Sequence, residues 1–199
     1  MKLTDRIMEN TQAYRIWQAP FVEDKLAPIL AHNDMTQVRQ VLDIGCGPGT
    51  NAHWFEHSEY VGIDWNPSYI EYAQRHHKGT FIVADVTRYT VTAGQNFDFI
   101  FVNSFFHHIN TPDTQRILSH LSTLLTEDGH IHILDLVLPE RRSIARFLAR
   151  MDRGEFARSL DEWQEILSRA FEPVVFEPYT LNAFGATLWN MIYFKGRKK

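Results

Sequence analysis

Three short apolar runs with an aspartate at or beside their end constrain this chain most: Val41-Leu42-Asp43-Ile44, Tyr60-Val61-Gly62-Ile63-Asp64 and Thr80-Phe81-Ile82-Val83-Ala84-Asp85. The segments between them are long enough for helices, so the runs read as parallel strands of βαβ units. Right-handed crossovers bring the C-terminal ends of such strands to one edge of the sheet, and the three carboxylates then line one crevice. The first run passes into the loop Gly45-Cys46-Gly47-Pro48-Gly49-Thr50. A glycine loop between strand and helix lets a ligand approach the backbone, and the helix that follows offers N–H donors.

The carboxylates decide what that ligand is. A dinucleotide site spaces its glycines G-x-G-x-x-G and sets a diphosphate on the helix terminus, whereas here the spacing is G-x-G-x-G and Asp43 would repel a diphosphate. S-adenosylmethionine fits better. It has no phosphate, and its sulfonium, ammonium, ribose diol and adenine amino group are all groups that carboxylates attract or accept from.

On these residues the chain resembles the class I S-adenosylmethionine-dependent methyltransferases, over residues 38–195. The resemblance implies a doubly wound α/β fold of seven strands in the order 3-2-1-4-5-7-6, the last antiparallel, with helices on both faces. It assigns Asp43, Gly45, Cys46, Gly47 and Gly49 to the methionine end of the cofactor and Asp64 to the ribose. Trp65 lies against adenine, Asp85 meets its amino group and the Val86 backbone a ring nitrogen. The alternative for the aspartates is a set of helix caps and turn residues. Two other function classes stay open: a catalytically silent cofactor-binding partner subunit and, against the glycine spacing, a nicotinamide-dependent oxidoreductase.

With 199 residues the chain suits one domain, divided here into an N-terminal helical lid (1–37), a cofactor core (38–135), a substrate-side helical insert (136–158) and a C-terminal helix with strands (159–199). No apolar stretch is long enough for a membrane span and the first residues lack a signal-peptide core, so a cytoplasmic enzyme is expected. Cys46 is the single cysteine, which rules out an internal disulfide and suggests a small residue packed beside the cofactor. A formal net charge of −4 gives no field for a polyphosphate. Methyltransferases of base amino groups share a proline-proline-aromatic tetrapeptide after the fourth strand, where this chain reads Asn103-Ser104-Phe105-Phe106. A small-molecule acceptor is expected instead.

The fourth strand, Phe97 to Val102, is almost wholly apolar, as a strand covered on both faces must be. A helix from Thr111 stops at Glu127-Asp128-Gly129, a fifth strand runs from His130 to Leu134 and ends in Asp135, and Ser159 caps a helix through Trp163 and Leu167. Pro173 to Phe176 and Leu188 to Phe194 complete the seven.

Chemistry belongs where the fourth strand ends, beside the glycine loop. Asn103 is placed to accept from the cofactor's ammonium, and His107 to take a proton from the acceptor, with His108 tying the loop to the scaffold. His53 and His57 sit four apart on the helix expected after the glycine loop, a spacing better explained by solvent exposure than by a metal, and no metal site is assigned. In the N-terminal segment Tyr14, Trp17, Gln18, Phe21 and Lys25 recur at helical spacing. Tyr14 would reach the cofactor and Lys25 its carboxylate, or the aromatics simply pack on the sheet. From Pro139 to Arg158, Arg142, Arg146 and Arg150 share one helical face, with Ile144, Phe147, Leu148 and Met151 on another. The basic face is either solvated or reaches an anionic group on the acceptor.

Overall fold

The computed structural model describes residues 22–87, 89, 95–151, 155–183 and 185–199. Seven strands form one sheet: β1 (Gln40–Ile44), β2 (Glu59–Asp64), β3 (Thr80–Val83), β4 (Phe97–Asn103), β5 (Leu125–Leu136), β6 (Glu172–Ala183) and β7 (Ala186–Arg197). Their order is β3-β2-β1-β4-β5-β7-β6, parallel from β3 to β5 and antiparallel on both sides of β7, as the resemblance implies. Among the described residues five α-helices accompany them: α1 (Val22–His32), α2 (Pro67–His76), α3 (Thr111–Leu124), α4 (Ile144–Met151) and α5 (Leu160–Ala170). None of the described helices is long and apolar enough to cross a membrane.

Alternation along the strands builds two apolar layers. Leu42, Ile44, Ile100, Val102, Ile131, Ile133, Ile192 and Phe194 face α3 and α5, where Ile117, Leu118, Leu121, Trp163 and Leu167 cover them. Their neighbours Val41, Phe99, Phe101, Leu134 and Tyr193 face the other way, onto Leu26 and Ile29 of α1 and Ile70 and Ala73 of α2. Caps explain the helix starts. Asn66 Oδ1 accepts from Ser68 N ahead of α2, with Pro67 in the first turn, and Ser159 and Glu162 close a reciprocal capping box on α5.

Four expectations need correction. Between β1 and β2 there is no α-helix, only a 3-10 turn (Ala52–Phe55), because Phe55 and Trp54 turn inward soon after the glycines and leave about one turn of chain before β2. His53 lies in that turn, with Nδ1 against Thr50 O at 2.9 Å. Second, β5 begins at Leu125, directly after α3, since Leu125 pairs with Phe97 ahead of a register shift. Third, β6 and β7 run well past the predicted segments, and their far ends pair with each other beyond the end of β5. Fourth, α4 buries Ala145 and Ala149, not its large residues, and Ala149 packs against Leu136, Leu181 and Met191. The small alanines let the helix approach the hairpin closely and leave Ile144, Phe147 (61% exposed) and Met151 facing outward.

Candidate active site

The ends of β1, β2, β4 and β5 meet at one edge, and the glycine loop crosses there. Gly45, Gly47 and Gly49 all have positive φ (68°, 55° and 78°), which a side chain would oppose. At Gly45 a Cβ would also stand 2.6 Å from Phe105 Cδ2. Gly45→Ala should therefore lower both the melting temperature and cofactor affinity, which a thermal shift assay with and without S-adenosylhomocysteine reads. Gly47 N donates to Asp64 Oδ2 at 2.9 Å and Asn66 N to Asp64 Oδ1 at 2.8 Å, so the end of β2 braces the loop while each carboxylate oxygen keeps a second lone pair. Burial pushes the Asp64 carboxyl above its ordinary value.

Asp43 is wholly buried beneath this loop. Tyr60 Oη donates to its Oδ2 at 2.6 Å, and burial raises its carboxyl to about 7 despite that bond. Its Oδ1 has no well-formed partner, although the nearby Asn51 side chain helps to lower the carboxyl, and on the neighbouring strand the buried Asn103 Oδ1 makes no hydrogen bond. Two acceptor oxygens withdrawn from water at adjacent strand ends call for a donor of positive charge. S-adenosylmethionine brings such groups, so the residues present fit it.

Lys25, 7% exposed, arrives from α1, and its Nζ donates to Ser104 Oγ at 2.7 Å. Ser104 is the only non-glycine residue among those described with positive φ (53°), and its N–H reaches back to Leu134 O at 2.7 Å. This kink turns the chain out of β4 and over the crevice. On the other flank Trp65 is 78% exposed beside Val83, a flat apolar surface at two adjacent strand ends. Asp85 is exposed, and its Oδ1 accepts from Thr87 N and Thr87 Oγ1 at 2.9 and 2.7 Å, the turn geometry that was the alternative for these aspartates. Val86 packs its side chain into the core. Cys46 points away from the crevice, into the gap above Gly62, where a Cβ would lie 2.9 Å from its Sγ, and burial pushes its thiol up. Tyr14, Trp17, Gln18 and Phe21 lie outside the described residues.

Beyond β4 the two adjacent histidines differ in exposure. His107 is the buried one, 4% exposed, with Nδ1 at 2.6 Å from Asp135 Oδ1. His108 is exposed, its ring 4.0 Å from that of His107. His107 is thus tied to the scaffold, because the 3-10 turn Phe106–His108 directs its first two side chains inward. Asp135 also accepts from Phe106 N and Leu136 N, at 2.8 and 2.7 Å. Burial raises its carboxyl, but His107 and these N–H groups outweigh that and hold it below the ordinary value. An ionised carboxylate only accepts, so His107 Nδ1 carries the proton and Nε2 presents a lone pair when the ring is neutral.

Asp135 and Tyr60 were the residues missed. The fifth strand closes on an aspartate as the first three do, so the signal for Asp135 was present in the pattern. Among the arginines of the insert, Arg146 donates to the carbonyls of Pro139 and Glu140, while Arg141, Arg142 and Arg150 are exposed.

Residues 41–129 match the family described as "Methyltransferase domain". Trans-aconitate 2-methyltransferase of Afipia carboxidovorans is 27% identical over 188 residues, covering 87% of this chain and 70% of the relative. The enzyme of the same name from Delftia acidovorans is 27% identical over 125 residues, and there the match spans only 45% of the relative. The crystal structure of a SAM-dependent methyltransferase from Methanosarcina mazei superposes with a TM-score of 0.70 at 18% identity, over 86% of this chain and 97% of that one.

Over residues 41–129 the chain is similar to the methyltransferase domain, and its fold is that of a solved SAM-dependent methyltransferase. The chemistry of its strand-end oxygens agrees, since Asp43 and Asn103 offer acceptors where a dinucleotide enzyme would need anion donors.

Proposed function

We propose that this methyltransferase moves the methyl group in line onto a small-molecule acceptor that loses a proton, a hydroxyl or an amine, and that His107 takes that proton. The observation that carries the reading is the buried His107–Asp135 pair at 2.6 Å, at the end of β5, where Leu134 pairs with Asn103 of β4. Asp135 fixes the ring and its tautomer, which leaves Nε2 as the base. In this reading Asp43, the loop of Gly45, Cys46, Gly47 and Gly49, Asn103 and Lys25 hold the methionine portion. Asp64 takes the ribose hydroxyls, and Trp65, Asp85 and Val86 receive adenine. When bound, the cofactor supplies an electrophilic methyl on a sulfonium. The protein's part is alignment, an effect worth about 7–11 kcal/mol when reacting groups are well oriented. The enzyme acts in the cytoplasm on a metabolite, not on a nucleic acid.

A second reading is favoured by the names of the relatives, which are methyltransferases of trans-aconitate. A carboxylate acceptor is already nucleophilic and needs no base. S-adenosylhomocysteine release across a panel of hydroxy, amino and carboxylic compounds, trans-aconitate included, separates the two when run on the parent and on His107→Gln. Turnover of a hydroxyl or amine acceptor should fall about 10²–10⁴-fold in the variant. Ester formation that survives His107→Gln would replace the first reading with the second. Asp64→Ala should cost about 1–3 kcal/mol of S-adenosylhomocysteine affinity by calorimetry, and unchanged affinity would remove Asp64 from the ribose site.

A further inference from the structure

Arg158 is the one buried arginine among the described residues, 3% exposed, in the segment between α4 and α5. Its Nη1 donates to Phe106 O at 2.8 Å, and its Nη2 to Ile109 O at 2.6 Å and Thr114 Oγ1 at 3.1 Å. The guanidinium lies 4.9 Å above the Trp163 ring. Two residues earlier, Phe156 N donates to His107 O at 3.0 Å. The carbonyls of residues 106, 107 and 109 are thus all tied to residues 156–158. The same segment is anchored at its other side, where Leu138 N donates to Arg158 O at 2.7 Å.

Phe106 is therefore a bridge between opposite charges: its N–H binds Asp135 and its carbonyl binds Arg158. A carboxylate removed from water demands a compensating positive charge. Were His107 the sole source of that charge, the ring would be drawn into the imidazolium form, which has no lone pair to act as a base. An arginine stays protonated and supplies the charge permanently.

We propose that Arg158 is a positioning residue for methyl transfer, fixing the 106–109 turn so that Asp135 holds the His107 Nδ1 proton and supplying the positive charge that leaves the imidazole neutral. The inference rests on the reading of His107 as the base. Among the described residues, the other ionisable groups facing this cluster come from three elements. The His108 ring lies tilted against that of His107 from the same turn, Tyr179 of β6 senses the Asp135 charge with its hydroxyl kept protonated by burial, and Glu162 of α5 faces Arg158.

The test is titration of the ring nitrogens of His107 by NMR in the full chain without ligand, which needs no acceptor and does not depend on turnover. In Arg158→Gln the midpoint for His107 should rise by about one pH unit or more relative to the parent, the range for losing a nearby opposite charge on its carboxylate partner. An unchanged midpoint in folded Arg158→Gln would overturn the proposal. Should that variant fail to fold, Arg158→Lys carries the test, since it keeps the charge but cannot span both carbonyls. Its midpoint should stay at the parent value while the Nδ1 proton loses protection from solvent exchange, and a raised midpoint there would equally overturn the proposal. Because the measurement is independent of catalysis, activity that survives His107→Gln would remove the base and leave the titration result readable.

Discussion

Asp135→Ala is expected to cost about 3–5 kcal/mol of folding stability, the range for removing one partner of a buried charged pair. Three donors lose their acceptor at once: His107 Nδ1, Phe106 N and Leu136 N. None can turn to water, because His107, Phe106 and Leu136 are all buried. Arg158 would then face the cavity without its carboxylate. Urea denaturation reads the loss directly. A change below about 1 kcal/mol would mean that the pair is dispensable to the fold, as an exposed pair would be.

Asp43 should give the enzyme an unusual pH response. Its carboxyl is raised by burial from 3.8 to about 7, so the native protein keeps a proton that the unfolded chain gives up between those values. The native state then binds more protons than the unfolded one, and stability falls as pH rises from about 4 to about 7, by about 4 kcal/mol at most. Asp64 adds to the same trend, in a smaller measure. His132 opposes it: burial holds its imidazole neutral, stacked on Phe99 and against Tyr193 Oη, so its contribution is lost as pH falls below the ordinary histidine range. The clean measurement is the difference between parent and Asp43→Asn, in which Tyr60 keeps an acceptor. That difference should shift steadily from pH 4 to 7 and flatten above. Calorimetry near pH 7 in buffers of different ionisation heat should also show a proton released when S-adenosylhomocysteine binds, because its ammonium favours ionised Asp43. A difference curve flat throughout, with no proton released, would place Asp43 outside this linkage.

The position of the crevice was legible because it depends on local signals: apolar runs, helix-length spacers and strand-end aspartates, whereas the strand order came only as what the resemblance implied. What escaped was set by tertiary competition. The turn at Ala52–Phe55 carries residues that would suit a helix, but the inward packing of Phe55 against Phe99 and Phe101 takes precedence. The face of α4 was misread because periodicity marks the larger apolar residues, whereas close packing on the hairpin selected Ala149, with Ala145 also buried. His107 and His108 are adjacent and chemically identical, so nothing local could say which turns inward. Asp135 decides that from 28 positions away. Arg158 looked like one more arginine of the insert until its carbonyl partners were seen.

The placement of β7 bears on how this protein is made. β6 touches the sheet only through β7, and β5 has no other neighbour on that side. On the ribosome, strands β1 to β5 can assemble as they emerge, but β6 must wait, exposed and unpaired, until β7 has been synthesised and can be threaded between it and β5. During that interval the open flank of β5 offers Ile131 and Ile133 to any strand that arrives, and chains stalled before residue 186 are the ones that aggregation and chaperones would compete for.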